Sequence, residues 1–577
     1  MKNKREIFLK NNLFLIIGAS ILFIAYMYHF DKSNIIYHLG DEFGYWANAA
    51  FFYGHDWSGV ASHNTYYSFG YSIILAPLFC ISNFDIRYKV ALFINIFMQI
   101  VSFLLLYGMA KKLFYTLNNK VIMLIAFCVS LYTSNTFFAK TTLSESFLYF
   151  AFVSITYLVV QLCEKKRWIY YILLGLLSAF VFAIHMRAIS ITISVIIFLI
   201  LEFVLEPENR KKILLAFMEI VIMFFFLLIF KEHIVENLYA SNETVAVNDF
   251  SGQVGKLNLL LSIDGIVLLI KSVVGKVYYL LSASFLILAW TGVWLFQKLS
   301  NTWHSIKRYN YLSIENKLSI YLFFSFLFTL GVSSIYMISE SSVIDHLIYG
   351  RYNEYILGPL LILGGCFLFE TKGISWRVQI SMIGIYLVSS LLVTFTFRNI
   401  ENPTIREVNI AGVAYLAYNN ESCLYENWEI VITLKVIFIS MIFFSLLWTR
   451  KQQIKIIAFV FVGALWLYGG NFVLDYQLCY RESYYTCKNI SDYLIENDIS
   501  EITYITNDSY PYFESLRPDI LQFMNPELKI TYKNIKNISL NEEKAFFVRR
   551  GYFEKDFFKN YSYIISSNDF DLYINNN

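Results

Sequence analysis

Hydrophobic positions in this chain gather into long unbroken stretches instead of alternating with polar ones. Thirteen such runs stand at about 13–30, 90–110, 121–138, 143–162, 169–184, 188–205, 213–230, 272–297, 318–338, 355–369, 378–396, 430–449 and 454–475. A helix rises about 1.5 Å per residue and the hydrocarbon core of a bilayer is about 30 Å thick, so runs of this length predict membrane-spanning helices. Lys2, Lys4, Arg5 and Lys10 precede the first run, as they would a signal peptide. That run ends in Tyr26, Tyr28 and His29, an aromatic belt rather than a small-residue cleavage site, and is therefore expected to stay as an anchor.

Basic residues recur at every second connection: the N-terminus, Lys111/Lys112/Lys120, Lys165/Lys166/Arg167, Arg210/Lys211/Lys212, Lys298/Lys307/Arg308, Lys372/Arg377 and Arg450/Lys451/Lys455. Short loops rich in Lys and Arg remain cytoplasmic. Thirteen spans then predict an internal N-terminus and an external tail. The longer connections, at about 31–89, 231–271, 339–354 and 397–429, fall on the external side, where long structured loops carry binding and chemistry.

Past residue 475 the pattern changes to short apolar segments of period two among many charges. A helix over 483–497 and strands over 501–506, 528–532, 544–548 and 561–566 are predicted. The expected fold is mainly α, a polytopic membrane bundle at 1–475 that includes an interfacial loop at 31–89, followed by a small extracytoplasmic α/β domain at 476–577.

Composition narrows the class further. Of 577 residues, 57% are hydrophobic and 15% charged, against about 25% charged in a soluble domain. A water-soluble globule is excluded. The balance of 46 basic against 43 acidic residues is no basic footprint, so no nucleic-acid partner is expected. The cysteines lack zinc-ligand spacing, and only Cys479 and Cys487 stand as plausible disulfide partners.

The first external loop holds the most informative residues. Phe43, Trp46, Ala47, Ala50 and Phe51 recur at helical spacing over a stretch too short to span, which predicts an amphipathic helix lying in the interface. Asp41 falls at its N-cap or first turn, with Glu42 beside it. An acidic residue there caps a helix routinely. A carboxylate held at the depth of a lipid-linked phosphate can also take a proton from a hydroxyl or hold a divalent cation. The run Tyr66 to Leu78, with Pro77, is predicted as a second interfacial helix returning to the next span. No Walker A, dinucleotide-binding, H-E-x-x-H or G-x-S-x-G motif occurs in a supporting context, which argues against nucleotide-driven chemistry.

A membrane-end Asp41-Glu42 followed by Tyr45, an aromatic amphipathic helix, a Gly70-Tyr71-led return segment and Ser144-Glu145 opening the fourth span together resemble the GT-C glycosyltransferases. That group includes the protein mannosyltransferases and the aminoarabinose transferases. The resemblance covers about the first 205 residues, and the rest mainly by topology. It implies a multi-pass cell-membrane enzyme with an extracytoplasmic active site, which moves a monosaccharide from a polyprenyl-phosphate carrier to a cell-envelope acceptor (glycan, lipid or protein) with inversion.

By that resemblance Asp41 is the catalytic base, Glu42 its neighbouring acid, and Glu145 the acidic residue at the outer start of the fourth span. His185 and Arg187, interrupting an apolar stretch, match a turn where the family commonly has an arginine for phosphate. Asp345 to Tyr355 resembles the element near the lipid phosphate, with Arg351 for the phosphate and Tyr349, Tyr352 and His346, together with Tyr45, for sugar or acceptor. Aromatic and basic membrane anchoring is the plainer account of that segment, and of Lys231 and His233. The metal stays open: Mg2+ or Mn2+, with Asp41 and Glu42 as ligands if there is one. A lipid-linked sugar flippase, or a non-catalytic glycan-binding protein, are the alternatives; the first calls for ionisable residues at the bilayer midplane, which the pattern does not show.

Overall fold

The computed structural model describes residues 2–239, 250–307, 312–338, 346–371, 376–398, 405–419, 424–448, 451–506, 517–537, 545–551, 558, 561–567 and 570–575. Arg308, Lys372 and Arg450 of the basic loops, together with Asp345 and Cys423, lie outside the described residues.

The thirteen apolar runs fall mainly on helix, though the run at 121–138 is interrupted at Leu131 and Tyr132 and the run at 13–30 leaves its helix after Tyr26. The principal helices are α1 (Lys2–Tyr26), α2 (Leu39–Tyr53), α3 (Phe84–Leu113), α4 (Asn119–Ser130), α5 (Glu145–Lys165), α6 (Trp168–Ile184), α7 (Ile189–Leu205), α8 (Arg210–Leu238), α9 (Ile263–Ala283), α10 (Ile287–Lys307), α11 (Ile314–Tyr336), α12 (Leu357–Glu370), α13 (Trp376–Phe397), α14 (Trp428–Leu447) and α15 (Gln452–Tyr485). Among the described residues, nine helices are long and apolar enough to cross a membrane, and Leu13–Tyr26, Asn119–Ser130 and Trp168–Ile184 are shorter apolar helices.

The run at 272–297 is not one helix. It breaks between α9 and α10, where Phe285 and Leu286 take positive φ of 47° and 64°, a region that costs a side-chain-bearing residue energy. The break leaves carbonyls without their helical partners, and the Trp466 indole donates to one of them, Ala283 O, at 2.9 Å. Neither Gly nor Pro marks the position in the sequence.

The tail builds helices α16 (Lys488–Glu496) and α17 (Arg517–Met524) around a five-stranded sheet of order β2-β1-β3-β5-β4. The strands are β1 (Glu501–Thr506), β2 (Lys529–Asn534), β3 (Ala545–Arg549), β4 (Tyr561–Ser566) and β5 (Phe570–Asn575). β1 pairs in parallel with β2 and β3, while β5 runs antiparallel between β3 and β4. Four of these strands are at the predicted places; β5, among Asp and Asn, was not predicted. α15 runs unbroken from the membrane region into this domain as far as Tyr485. Cys479 is exposed and Cys487 buried. Eight residues of nearly continuous helix separate their Cα atoms by roughly 12 Å, beyond the reach of a disulfide.

Two interfacial elements differ from expectation. Helix α2 is not half wet: Phe43, Tyr45, Trp46, Ala47, Ala49 and Ala50 are all fully buried. Its expected polar side is covered by the return segment and the start of α5, where Asn48 donates to the Tyr67 carbonyl at 2.8 Å and Tyr45 packs on Tyr67 and Tyr71. On the apolar side Trp46 meets the Phe523 ring of α17 edge-on at 5.1 Å. The return segment is broken into a single turn, Ser72–Leu75, and a 3-10 turn, Ala76–Cys80, with Pro77 in its first positions. Gly70 presses its backbone on the end of α6, donating to Ala183 O at 2.6 Å. A Cβ at residue 70 would lie 2.6 Å from the Ala183 carbonyl carbon, which only glycine avoids.

Candidate active site

The site assembles where the first turn of α2, the start of α5, the α6–α7 turn and the segment before α12 meet. Asp41 stands in the first turn of α2. Its Oδ1 accepts from the Tyr67 hydroxyl at 2.5 Å, and its Oδ2 from Arg351 Nη1 at 2.5 Å. Arg351 Nε donates to Glu145 Oε1 at 2.6 Å, and Arg187 Nη2 reaches the same oxygen at 2.9 Å. One chain of charge thus runs Asp41, Arg351, Glu145, Arg187. It joins residues separated by up to 310 positions in sequence.

Exposure differs along that chain. Asp41 keeps 30% of its side chain accessible, against 4% for Glu145, 3% for Arg187 and 6% for Arg351. Asp41 is therefore the member a substrate can reach, and the others form the floor behind it. Burial works to raise the Asp41 carboxyl, but Arg351 and the Tyr67 hydroxyl outweigh it and hold the group below the ordinary carboxylate range.

The remaining expected residues divide. Arg187 lies over the Tyr352 ring at 4.1 Å, and Tyr349 packs on Tyr352 at 4.6 Å, so both tyrosines line the arginine side of the site. His185 shapes the turn: its Nδ1 accepts from the Arg187 backbone at 3.4 Å and its Nε2 lies 3.4 Å from Arg187 Nη1. Burial, with Arg187 alongside, pushes its imidazole well below the usual value, so it faces the guanidinium as a neutral ring. His346 packs on Tyr349 at 6.2 Å, and its carbonyl accepts from Lys276 at 3.2 Å.

Glu42 and Tyr45 do not open onto the site. Glu42 is fully buried. Its Oε1 accepts from the backbone of Tyr37 and His38, and its Oε2 from Tyr88, the Thr142 backbone and the Thr142 hydroxyl. Helical geometry turns it about 100° away from Asp41, and these bonds commit its oxygens to pinning three chain segments together. Tyr45 is also fully buried and donates to Ser144 Oγ at 2.8 Å, packed between Tyr67 and Tyr71. It holds the start of α5.

The donor set does not suit a cation held by Asp41 and Glu42. Their carboxylates face different partners, and no group of three His, Cys, Asp or Glu converges among the described residues.

Sequence reasoning passed over two residues of the site. Tyr67 was noted only as part of an aromatic run. Glu354, quoted in the segment around Arg351, is fully enclosed, and its Oε1 accepts from Tyr279 at 2.7 Å and Tyr132 at 2.9 Å. A carboxylate at the mouth of an apolar run was the signal available for it. A small pocket, with room for about one water, lies between the return segment, α6 and α8, lined by Tyr66, Phe69, Phe182, Met186, Leu227 and Lys231. Its walls are apolar, and the Lys231 amine stands 5.8 Å from the Tyr66 ring centre.

Comparison with known proteins bears on the fold. The family model for dolichyl-phosphate-mannose-protein mannosyltransferase matches residues 69–231, a segment that holds Glu145, His185 and Arg187 but neither Asp41 nor Arg351. The fold is similar to that of ArnT from Cupriavidus metallidurans bound to undecaprenyl phosphate, with a TM-score of 0.51 at 10% identity, over 97% of this chain and 98% of that one. The apo state of that ArnT matches with the same score and identity, over 97% of each chain. No curated protein matches the sequence. The resemblance to the GT-C glycosyltransferases is thus carried by sequence over 69–231 and by fold along nearly the whole chain.

Proposed function

We propose that this protein is a multi-pass membrane glycosyltransferase, which takes a monosaccharide from a polyprenyl-phosphate donor and places it on a cell-envelope hydroxyl outside the cytoplasm. The observation that carries the reading is the accessible Asp41 carboxylate, bonded to Arg351 and backed by Arg187 through Glu145. A base and an anion-binding pair adjoin at one end of the bundle.

In this mechanism the donor phosphate competes with Asp41 for Arg351. The guanidinium turns from carboxylate to phosphate, and Asp41 is released to accept the proton of the incoming hydroxyl. The hydroxyl oxygen bonds to the anomeric carbon as the carbon–oxygen bond to phosphate breaks. The electron pair leaves with polyprenyl phosphate, whose charge Arg351 and Arg187 stabilise. A single displacement inverts the anomeric carbon. No step requires a metal.

Placement outside the cytoplasm rests on the two ends of the helices. Glu145 opens α5 at the site, while Lys165 and Lys166 close it at the far end. Those lysines belong to the loops that the positive-inside rule keeps cytoplasmic.

The test is direct. Purified protein in nanodiscs, given polyprenyl-phosphate sugars and a cell-envelope extract, should release polyprenyl phosphate and leave inverted product. Intact donor transferred in bulk between leaflets, without release, would favour the flippase instead.

A further inference from the structure

Behind the ion pairs lies a small cavity, with room for about one water, whose lining includes Ser134, Asn135, Glu145, Ser146, Tyr149 and Glu354, and also Arg351. Glu145 Oε2, Glu354 Oε2 and Ser146 Oγ are buried there without a hydrogen-bond partner in the protein, while the Tyr149 hydroxyl has Asn135 beside it. Unmet polar atoms around one small space are the mark of a buried water.

Charge decides what else the cavity holds. Asp41 and Glu145 pair with Arg351 and Arg187, while Glu354, 3% exposed, has no ion pair among the described residues. An ionised carboxylate buried without a counter-charge is not sustainable, so a proton or a cation must balance it. Arg351 lines the same cavity and repels a metal cation, which leaves the proton.

We propose that Glu354 is a positioning residue in its neutral carboxylic-acid form: through water in this cavity it donates to the free oxygen of Glu145, and so fixes Glu145 against both arginines. The two phenols fit, since Tyr132 and Tyr279 donate to Oε1 as to a carbonyl and leave Oε2 to carry the proton. Burial pushes the Glu354 carboxyl up and outweighs the hydrogen bonds from Ser134, Tyr279 and Tyr132, which pull it down; the facing Glu145 adds a smaller push upward. The ionisable groups around it are Glu145, Arg351 and the phenols of Tyr132, Tyr149, Tyr279 and Tyr355.

The inference relies on the transferase reading only for its kinetic arm. Infrared spectroscopy of the full-length protein in nanodiscs at neutral pH should show a protonated-carboxyl stretch that is missing from Glu354→Gln. Replacing the facing charge, in Glu145→Gln, should shift that stretch, which keeps the test open should the first variant not fold. In turnover, Glu354→Gln keeps an N–H donor in place of O–H and should hold kcat within about threefold. Glu354→Leu, with no donor, should lose about tenfold in kcat at unchanged donor KM. Absence of the stretch from the wild type, its disappearance on adding Na+ or Mg2+, or equal turnover of the Gln and Leu variants would each overturn the proposal. Failure of all variants and the wild type to transfer sugar would count against the transferase reading and leave the infrared result to decide this one.

Discussion

Two neighbouring carboxylates at the same helix turn have opposite fates. Asp41 faces Arg351 and solvent, whereas Glu42 faces the backbone of residues 37–38 and 142. Sequence could place the pair at the membrane surface but could not separate them, because Glu42's partners stand up to 100 positions away. Glu42→Ala should destabilise the protein by about 2 kcal/mol or more, since it strands several buried donors. A lowered unfolding temperature in detergent checks it, and an unchanged one would contradict it. The Asp41 carboxyl is depressed, so as a base it stays ionised through the neutral range, and protons quench it only below the ordinary carboxylate value of about 4. The acid limb of kcat/KM should therefore lie below about pH 4, and should move upward in Arg351→Gln. The linked stability has the same sign: it is present above the unfolded-state value and lost as pH falls through the depressed one. A wild-type limb at about pH 6 would exclude Asp41 as the titrating base.

At the scale of elements, the apolar runs gave mainly helix, since about twenty residues of uniform hydrophobicity have few other options in a bilayer. What escaped were interruptions, one without any local signal and one at a proline. The α9–α10 break falls at Phe285-Leu286 and is stabilised by Trp466, a residue 183 positions from the carbonyl it caps. The return segment was read as one helix, but Pro77 and the docking of Gly70 on α6 divide it. Gly70→Ala should cost about 1–3 kcal/mol, because the clash is with backbone and cannot be relieved by a rotamer. Since that segment carries Tyr67, the variant should also lose turnover. Wild-type stability and rate in Gly70→Ala would show that the contact is dispensable.

Over the whole molecule, the tail is not a free appendage. The Trp57 indole donates to Pro526 O at 2.9 Å, Asn64 to Asp519 Oδ1 at 3.1 Å, and Arg87 to the Phe523 carbonyl. His63 stacks on Tyr532 at 4.3 Å. The α/β character of the tail was legible in its period-two segments, but its docking on the segment that carries Asp41 was not, because apolar periodicity reports a buried face without naming what buries it. Gly59 fits against the carbonyl of Ile530, where a Cβ would stand 2.0 Å away. Gly59→Ala should raise the undocked population roughly tenfold or more. Faster limited proteolysis between the membrane bundle and the tail, with reduced turnover, is the expected readout, and an unchanged cleavage rate would show that the domain is held elsewhere.

The proposed chemistry turns on Asp41 as the base of a lipid-linked sugar transfer. The most direct measurement compares wild type and Asp41→Asn for donor binding and for release of polyprenyl phosphate under single-turnover conditions. The expected result is donor affinity within a few-fold of wild type and release slowed by about 10²- to 10⁴-fold. Release at a near-normal rate in the Asn variant would contradict it.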